Sequence, residues 1–372
     1  MAKDPLRTKL CDLLGIQFPI VAFTPSKEVA VAVINAGALA VLAGTWHEPD
    51  ELARQIAWIR ERVEGRPFGV DLLLPASAPP AATIEELKAE IPEEHRKFVE
   101  AMKARHRIPD PKNPPEHYQL GWINQDRARR QLDVALEERV PALAIGLGSP
   151  NFVLEAAHAQ GIKVFGLVGK PRQARRELEA GVDAIIAQGT DAAGHTGSIG
   201  TFSLVPEVVS IAGETPVLAA GGVTTGRHLA AALCLGAAGV WTGTVWLATE
   251  ESDKDQIIKD KLIAASADDT VHSRCMSGFS MRVLKSEWTE AWEAPGAPAP
   301  LPAPYQLLLG AEIHQAANDY QIESFMTEAA GQGVGFVTST KPAGQVVREL
   351  AEEARAVLEG LTSDSPVTAG SS

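Results

Sequence analysis

Cysteine is scarce. The chain has 372 residues and three cysteines, Cys11, Cys234 and Cys275, far apart and odd in number. No two form a C-x-x-C pair, so neither a disulfide framework nor a thiolate zinc site is suggested. A reduced, cytoplasmic setting is expected. Basic charge is also short: 34 Lys and Arg stand against 47 Asp and Glu, a net charge of -13. That argues against sequence-independent nucleic-acid binding and against a polybasic membrane anchor. Long hydrophobic runs are missing. Nothing approaches the roughly eighteen apolar residues of a membrane span. The charged N-terminus MAKDPLRTKLCDLLG lacks a secretory apolar core. The composition is compatible with a homo-oligomer and does not fix its size.

What the chain has in quantity is short apolar runs. Eight occur, at 19–23, 38–44, 68–74, 141–147, 163–169, 182–189, 216–222 and 238–244. Each is nearly continuous rather than alternating, as in parallel strands buried on both faces. Amphipathic segments such as 48–64 and 171–180 lie between them. Strand and helix alternating eight times predict an α/β fold, a closed (β/α)8 TIM barrel. Two regions interrupt the pattern. Residues 75–124, rich in proline and charge, predict one or two helices inserted after the third strand, either a lid segment over the barrel mouth or a passive excursion. Residues 261–330 predict a C-terminal helical cap. The barrel then comprises 1–260 and 331–360, and a disordered tail is expected over 361–372.

In such barrels the loops after the seventh and eighth strands often build a phosphate site. The seventh run ends in Gly221 and Gly222, the eighth in Gly243 and Thr244. Glycines let backbone N–H groups approach phosphate oxygens, and a following helix N-terminus adds its dipole. The sixth run leads into AQGTDAAGHTG, 187–197. There Gly189, Ala192, Ala193 and Gly194 leave room for a flat ring. Gln188 can hydrogen-bond a heterocycle edge, and His195 can act as a base near neutral pH. Asp191 reads as a loop or helix cap. No second His, Cys or clustered carboxylate keeps His195 company at ligand spacing, so no metal is expected. The run Lys170, Arg172, Arg175 and Arg176 fits either a solvated helix face or a phosphate-bearing ligand. On these residues alone, a sugar-phosphate aldolase or isomerase, or a noncatalytic phosphate-ligand binder, stays open.

The ordered set AQGTDAAGHTG, AAGGVTTGR and WTGT, with SRCMSGF and KPAGQVVREL further on, resembles the nitronate monooxygenase family. That family also includes FMN-dependent enoyl-acyl-carrier-protein reductases and some NAD(P)H:quinone reductases. The resemblance covers most of the chain. It implies a TIM-barrel flavoprotein oxidoreductase holding FMN noncovalently, with a small-molecule substrate. Under it, His195 is the catalytic histidine, and Gln188 and Ala193 contact the flavin. Gly222, Trp241, Thr242, Gly243 and Thr244 form the phosphate cradle, and Ala22, Phe23 and Thr24 lie under the flavin. Asp71 stands where the family often has asparagine, and the resemblance implies that it touches the flavin ring or ribityl chain. The activity implied is oxidation of alkyl nitronates with dioxygen. An NAD(P)H-linked reductase or dehydrogenase acting on an enoyl thioester or quinone is the alternative.

Overall fold

The computed structural model describes residues 4–74, 83–113, 115, 125–146 and 151–362. All eight apolar runs form strands: β1 Ile20–Thr24, β2 Leu39–Ala43, β3 Gly69–Leu73, β4 Ala142–Gly146, β5 Lys163–Val168, β6 Ala184–Gln188, β8 Val217–Ala220 and β9 Gly239–Thr242. They pair in parallel in that order and close into a barrel. Between β6 and β8 lies a two-residue strand, β7 Gly194–His195. It joins β10 Thr270–Ser273 and β11 Met281–Leu284 in a separate antiparallel sheet, in the order β10-β11-β7.

The outer helices form where local chemistry starts and stops them. Pro49–Arg62 begins with Pro at its first turn beside Asp50 and Glu51, ends at Arg60 and Arg62, and buries Leu52, Ile56 and Ile59. Acid at the start and base at the end both favour the helix dipole. Pro171–Ala180 stops at Gly181, whose φ of 92° is left-handed. These helices bury their apolar stripes on the outward faces of the strands, where Ala22, Ala40, Val70, Leu143, Val164, Ile185, Ala219 and Val240 lie in one core layer. The alternate, inward residues fill the barrel: Val21, Leu39, Phe165, Ile186, Leu218 and Trp241 among them.

A third core lies outside the barrel. The insertion contributes two helices, Ile84–Ala89 and Glu93–His106. The first starts with a reciprocal Thr83–Glu86 capping box. Met102 and Ile108 pack with Trp288, Trp292, Ile313 and Phe325 of the C-terminal region. Leu87 and Ile91 pack on Leu308. His95 Nε2 lies 3.0 Å from the Ala299 carbonyl. The two interruptions of the barrel pattern are thus one structural unit. The C-terminal one is less purely helical than expected. Beside helices Gln256–Ala264, Glu287–Glu293 and Tyr305–Asp319 it carries β10 and β11. At four residues each, these strands are too short to show a period in the sequence. The last helix, Ala343–Thr362, takes in the first two residues of the expected tail. The rest of that tail, and 75–82 and 116–124 of the insertion, lie outside the described residues.

Candidate active site

Strand register assembles the mouth. Gln188 pairs with Ala220, Ala220 with Trp241, and Trp241 with Val21. Alternation then decides which side chains reach the lumen. Phe23 and Trp241 do, and their rings stack at 5.8 Å and 25°. Ala22 instead joins the outer helix-facing layer. Thr24 is buried and accepts a hydrogen bond from Ser26 N at 3.1 Å. Thr242 also turns outward. Its hydroxyl donates to Val21 O and accepts from Trp246 Nε1 at 3.0 Å. Of the residues expected under the flavin in β1 and in the phosphate cradle in β9, only Phe23 and Trp241 present side chains to the lumen.

The loop after β6 is tightly held. Gly189 N donates to Ala220 O at 2.9 Å. A Cβ on Gly189 would sit 2.2 Å from Thr201 Oγ1, so only glycine fits. Asp191 accepts from Thr201 N at 2.6 Å, capping helix Thr201–Ala212 as its sequence context suggested. Arg282, buried on β11, donates to Thr190 O at 3.0 Å. Gly194 has a φ of 68°, the left-handed region that glycine tolerates. Its strand hydrogen-bonds to β11, with His195 opposite Met281. Gln188 Nε2 reaches toward Ala193 O at 3.5 Å. His195 Nε2 lies 2.8 Å from Ser277 Oγ, and Phe279 stands edge-on to its imidazole at 5.8 Å. Burial pushes the His195 pKa down to about 4, so the ring is neutral at physiological pH.

The glycine ends of β8 and β9 meet this loop. Gly221 has a φ of 112°, and a Cβ there would meet Thr201 Oγ1 at 2.5 Å. Gly222 lies beside Asp191, whereas a Cβ on Gly243 would meet nothing within 4 Å. The N–H groups of Gly222 and Gly243 find no acceptor among the described residues. Unsatisfied backbone donors beside open space suit an anion. Thr244 Oγ1 accepts from Gly331 N at 2.9 Å. Segment 331–336 closes the ring of loops, with Gln332 N donating to Asp191 O at 2.9 Å. The helix after β8, Gly226–Cys234, does not offer its N-terminus as expected. Gly226 N already donates to Glu353 Oε2 at 2.6 Å, and Thr225 N to His228 Nδ1 at 3.2 Å. A carboxylate of the last helix occupies that positive end.

Asp71 faces the lumen from β3, in register with Ala43 and Ala144. It is 8% exposed. Burial raises its pKa to about 7. Arg172, Arg175 and Arg176 stand exposed on Pro171–Ala180, outside the lumen. Among the described residues no three His, Cys, Asp or Glu side chains group as metal ligands. No described helix is long and apolar enough to cross a membrane. The sequence did not single out Ser277, Phe279, Arg282 or Gly331. The signals available were the motif SRCMSGF at 273–279, which holds Ser277 and Phe279 without marking either, and GQGVG at 331–335.

Comparisons with known proteins agree with this fold. The family profile described as nitronate monooxygenase matches residues 7–353. A Mycobacterium tuberculosis protein named as a monooxygenase is 40% identical over 361 residues, covering 94% of this chain and 96% of its own. A Staphylococcus aureus protein named as a nitronate monooxygenase is 26% identical, covering 95% and 99%. Among solved structures, nitroalkane oxidase from Streptomyces ansochromogenes superposes with a TM-score of 0.79 at 29% identity, covering 95% of this chain and 99% of its own. FabK from Thermotoga maritima gives 0.71 at 27%, covering 96% and 98%.

Proposed function

Because the chain belongs to the nitronate monooxygenase family and is an oxidoreductase, we propose that it holds FMN at the barrel mouth and oxidises alkyl nitronates with dioxygen to a carbonyl compound and nitrite. The observation that carries this proposal is the His195 imidazole, held 2.8 Å from Ser277 Oγ, on a loop that meets the unsatisfied glycine N–H groups at the ends of β8 and β9. Gly222, Gly243 and Thr244 would hold the phosphate. Phe23 and Trp241 offer a flat apolar floor, and Gln188 an amide for a ring edge. Bound there, a flavin supplies electron transfer between substrate and dioxygen.

The protein's own residues do the rest. His195, uncharged, takes the α-proton from a neutral nitroalkane or hydrogen-bonds the bound anion. Ser277 fixes the imidazole's orientation through its 2.8 Å contact. Ser277→Ala is expected to lower kcat/KM about fivefold, the equivalent of about 1 kcal/mol for one lost hydrogen bond. Steady-state kinetics at fixed flavin loading check this, and an unchanged value removes Ser277 from the site.

A second reading draws on the likeness to FabK: an NAD(P)H-linked reductase or dehydrogenase acting on an enoyl thioester or quinone, with His195 as proton donor. Anaerobic stopped-flow mixing separates the two. Bleaching of a bound flavin by a nitronate, with inertness to NADH and NADPH, is the expected result. Fast reduction by either nicotinamide favours the reductase. Purified protein without the yellow of flavin, and unable to take up FMN, sinks both.

A further inference from the structure

Asp71 is a buried carboxyl group with no partner among the described residues. It lies mid-strand on β3, with Val70 and Leu72 packed into the outer layer, so its own side chain points into the barrel. Among the described residues no hydrogen bond or ion pair reaches it, and its pKa shift has burial as its sole cause. The inward positions of the other seven strands carry Ala, Gly, Val, Leu, Ile, Phe, Trp and Gln. The exception, Lys163 at the foot of the barrel, is paired with Asp183 at 3.2 Å. Two other groups need placing. His195, on the loop at the mouth, titrates near 4. Glu177 titrates near 7, but it packs on the outside of β5 against Gly166. A lone carboxyl in such a lumen costs stability when ionised, and nothing in the fold needs it there.

We propose that Asp71 is a proton-gated contact for the cofactor: as the neutral acid it offers one O–H donor and one carbonyl acceptor to the polar edge of the flavin, and on ionisation it releases it. This rests on the flavin reading above. The chemistry follows from the donor inventory. A protonated carboxyl, like an asparagine amide, both donates and accepts, whereas a carboxylate only accepts and carries charge into an apolar lumen. Flavin retention therefore depends on pH through this one residue. Because the neutral form is held in the native state, its benefit is complete at low pH and is lost as pH rises through about 7.

The test is FMN titration of the apo-protein from pH 5.5 to 9, comparing wild type with Asp71→Asn. Above neutrality the wild-type dissociation constant is expected to rise about tenfold per pH unit. The variant keeps a donor and an acceptor at every pH and should lack that rise. Whatever the cofactor's own phosphate and ring contribute is common to both proteins and cancels. Asp71→Ser, small and neutral, is the second variant and should match Asp71→Asn. Thermal unfolding of the apo-proteins reads the same proton without cofactor: the variants should gain on wild type as pH rises from about 4 to 7, then hold a constant lead. Parallel FMN curves for wild type and variants overturn the proposal even if FMN binds well. Failure of all three proteins to take up FMN at any pH overturns the flavin reading itself.

Discussion

His195→Asn is expected to slow turnover of a neutral nitroalkane by about a hundredfold or more, the usual scale for loss of a general base, while leaving FMN content unchanged. The imidazole sits on a two-residue strand whose backbone is paired to β11, so an asparagine of similar reach keeps the loop in place. What is lost is the basic nitrogen. A nitronate arrives already deprotonated, so its turnover should fall far less, and the ratio of the two effects is the diagnostic. The pH profile follows from the same residue. With the His195 pKa near 4, kcat/KM for the neutral substrate should be flat in this group from pH 5 upward and fall below about 4. An acid limb near 6.5 would mean that the ring is not desolvated as its surroundings dictate. Equal losses for nitroalkane and nitronate would leave His195 a binding group rather than a base.

Trp288→Ala is expected to destabilise the protein by about 3–5 kcal/mol, the range for emptying a buried large aromatic site. Trp288 is fully buried. It meets Trp292 at 5.5 Å and His314 at 4.9 Å, and its Nε1 donates to Cys275 O at 3.0 Å. Cys275 stands two residues before Ser277, so the cavity loosens the serine that orients His195. Denaturant unfolding should show the loss, and kcat should drop with little change in FMN affinity. Trp288→Phe, which keeps most of the volume but not the donor, should lose less than half as much. A stability change under about 1 kcal/mol for Trp288→Ala would contradict the packing seen here.

The barrel was legible because its strands are buried on both faces, and unbroken runs such as ALAVLAG at 38–44 have few other uses. Asp191 was legible as a cap because its partner lies ten residues away. The failures have a common cause, distance along the chain. Nothing near Gly226 says that Glu353, 127 residues on, takes its N–H, so that helix end looked free for phosphate. Nothing near His195 points to Ser277, 82 residues on. Strand parity was the other limit. AFT at 22–24 reads as one motif, yet adjacent residues face opposite sides, and only Phe23 enters the barrel with its side chain.

The unit shared by the insertion and the C-terminal region has a consequence for how the chain comes off the ribosome. Met102 and Ile108 emerge long before Trp288, Trp292 and Phe325, the residues that cover them. His95 waits 204 residues for the Ala299 carbonyl. Until then the insertion's helices present an uncovered greasy face, even after the last barrel strand, β9, has been made. Nascent chains halted near residue 250 should therefore be the ones that chaperones hold longest.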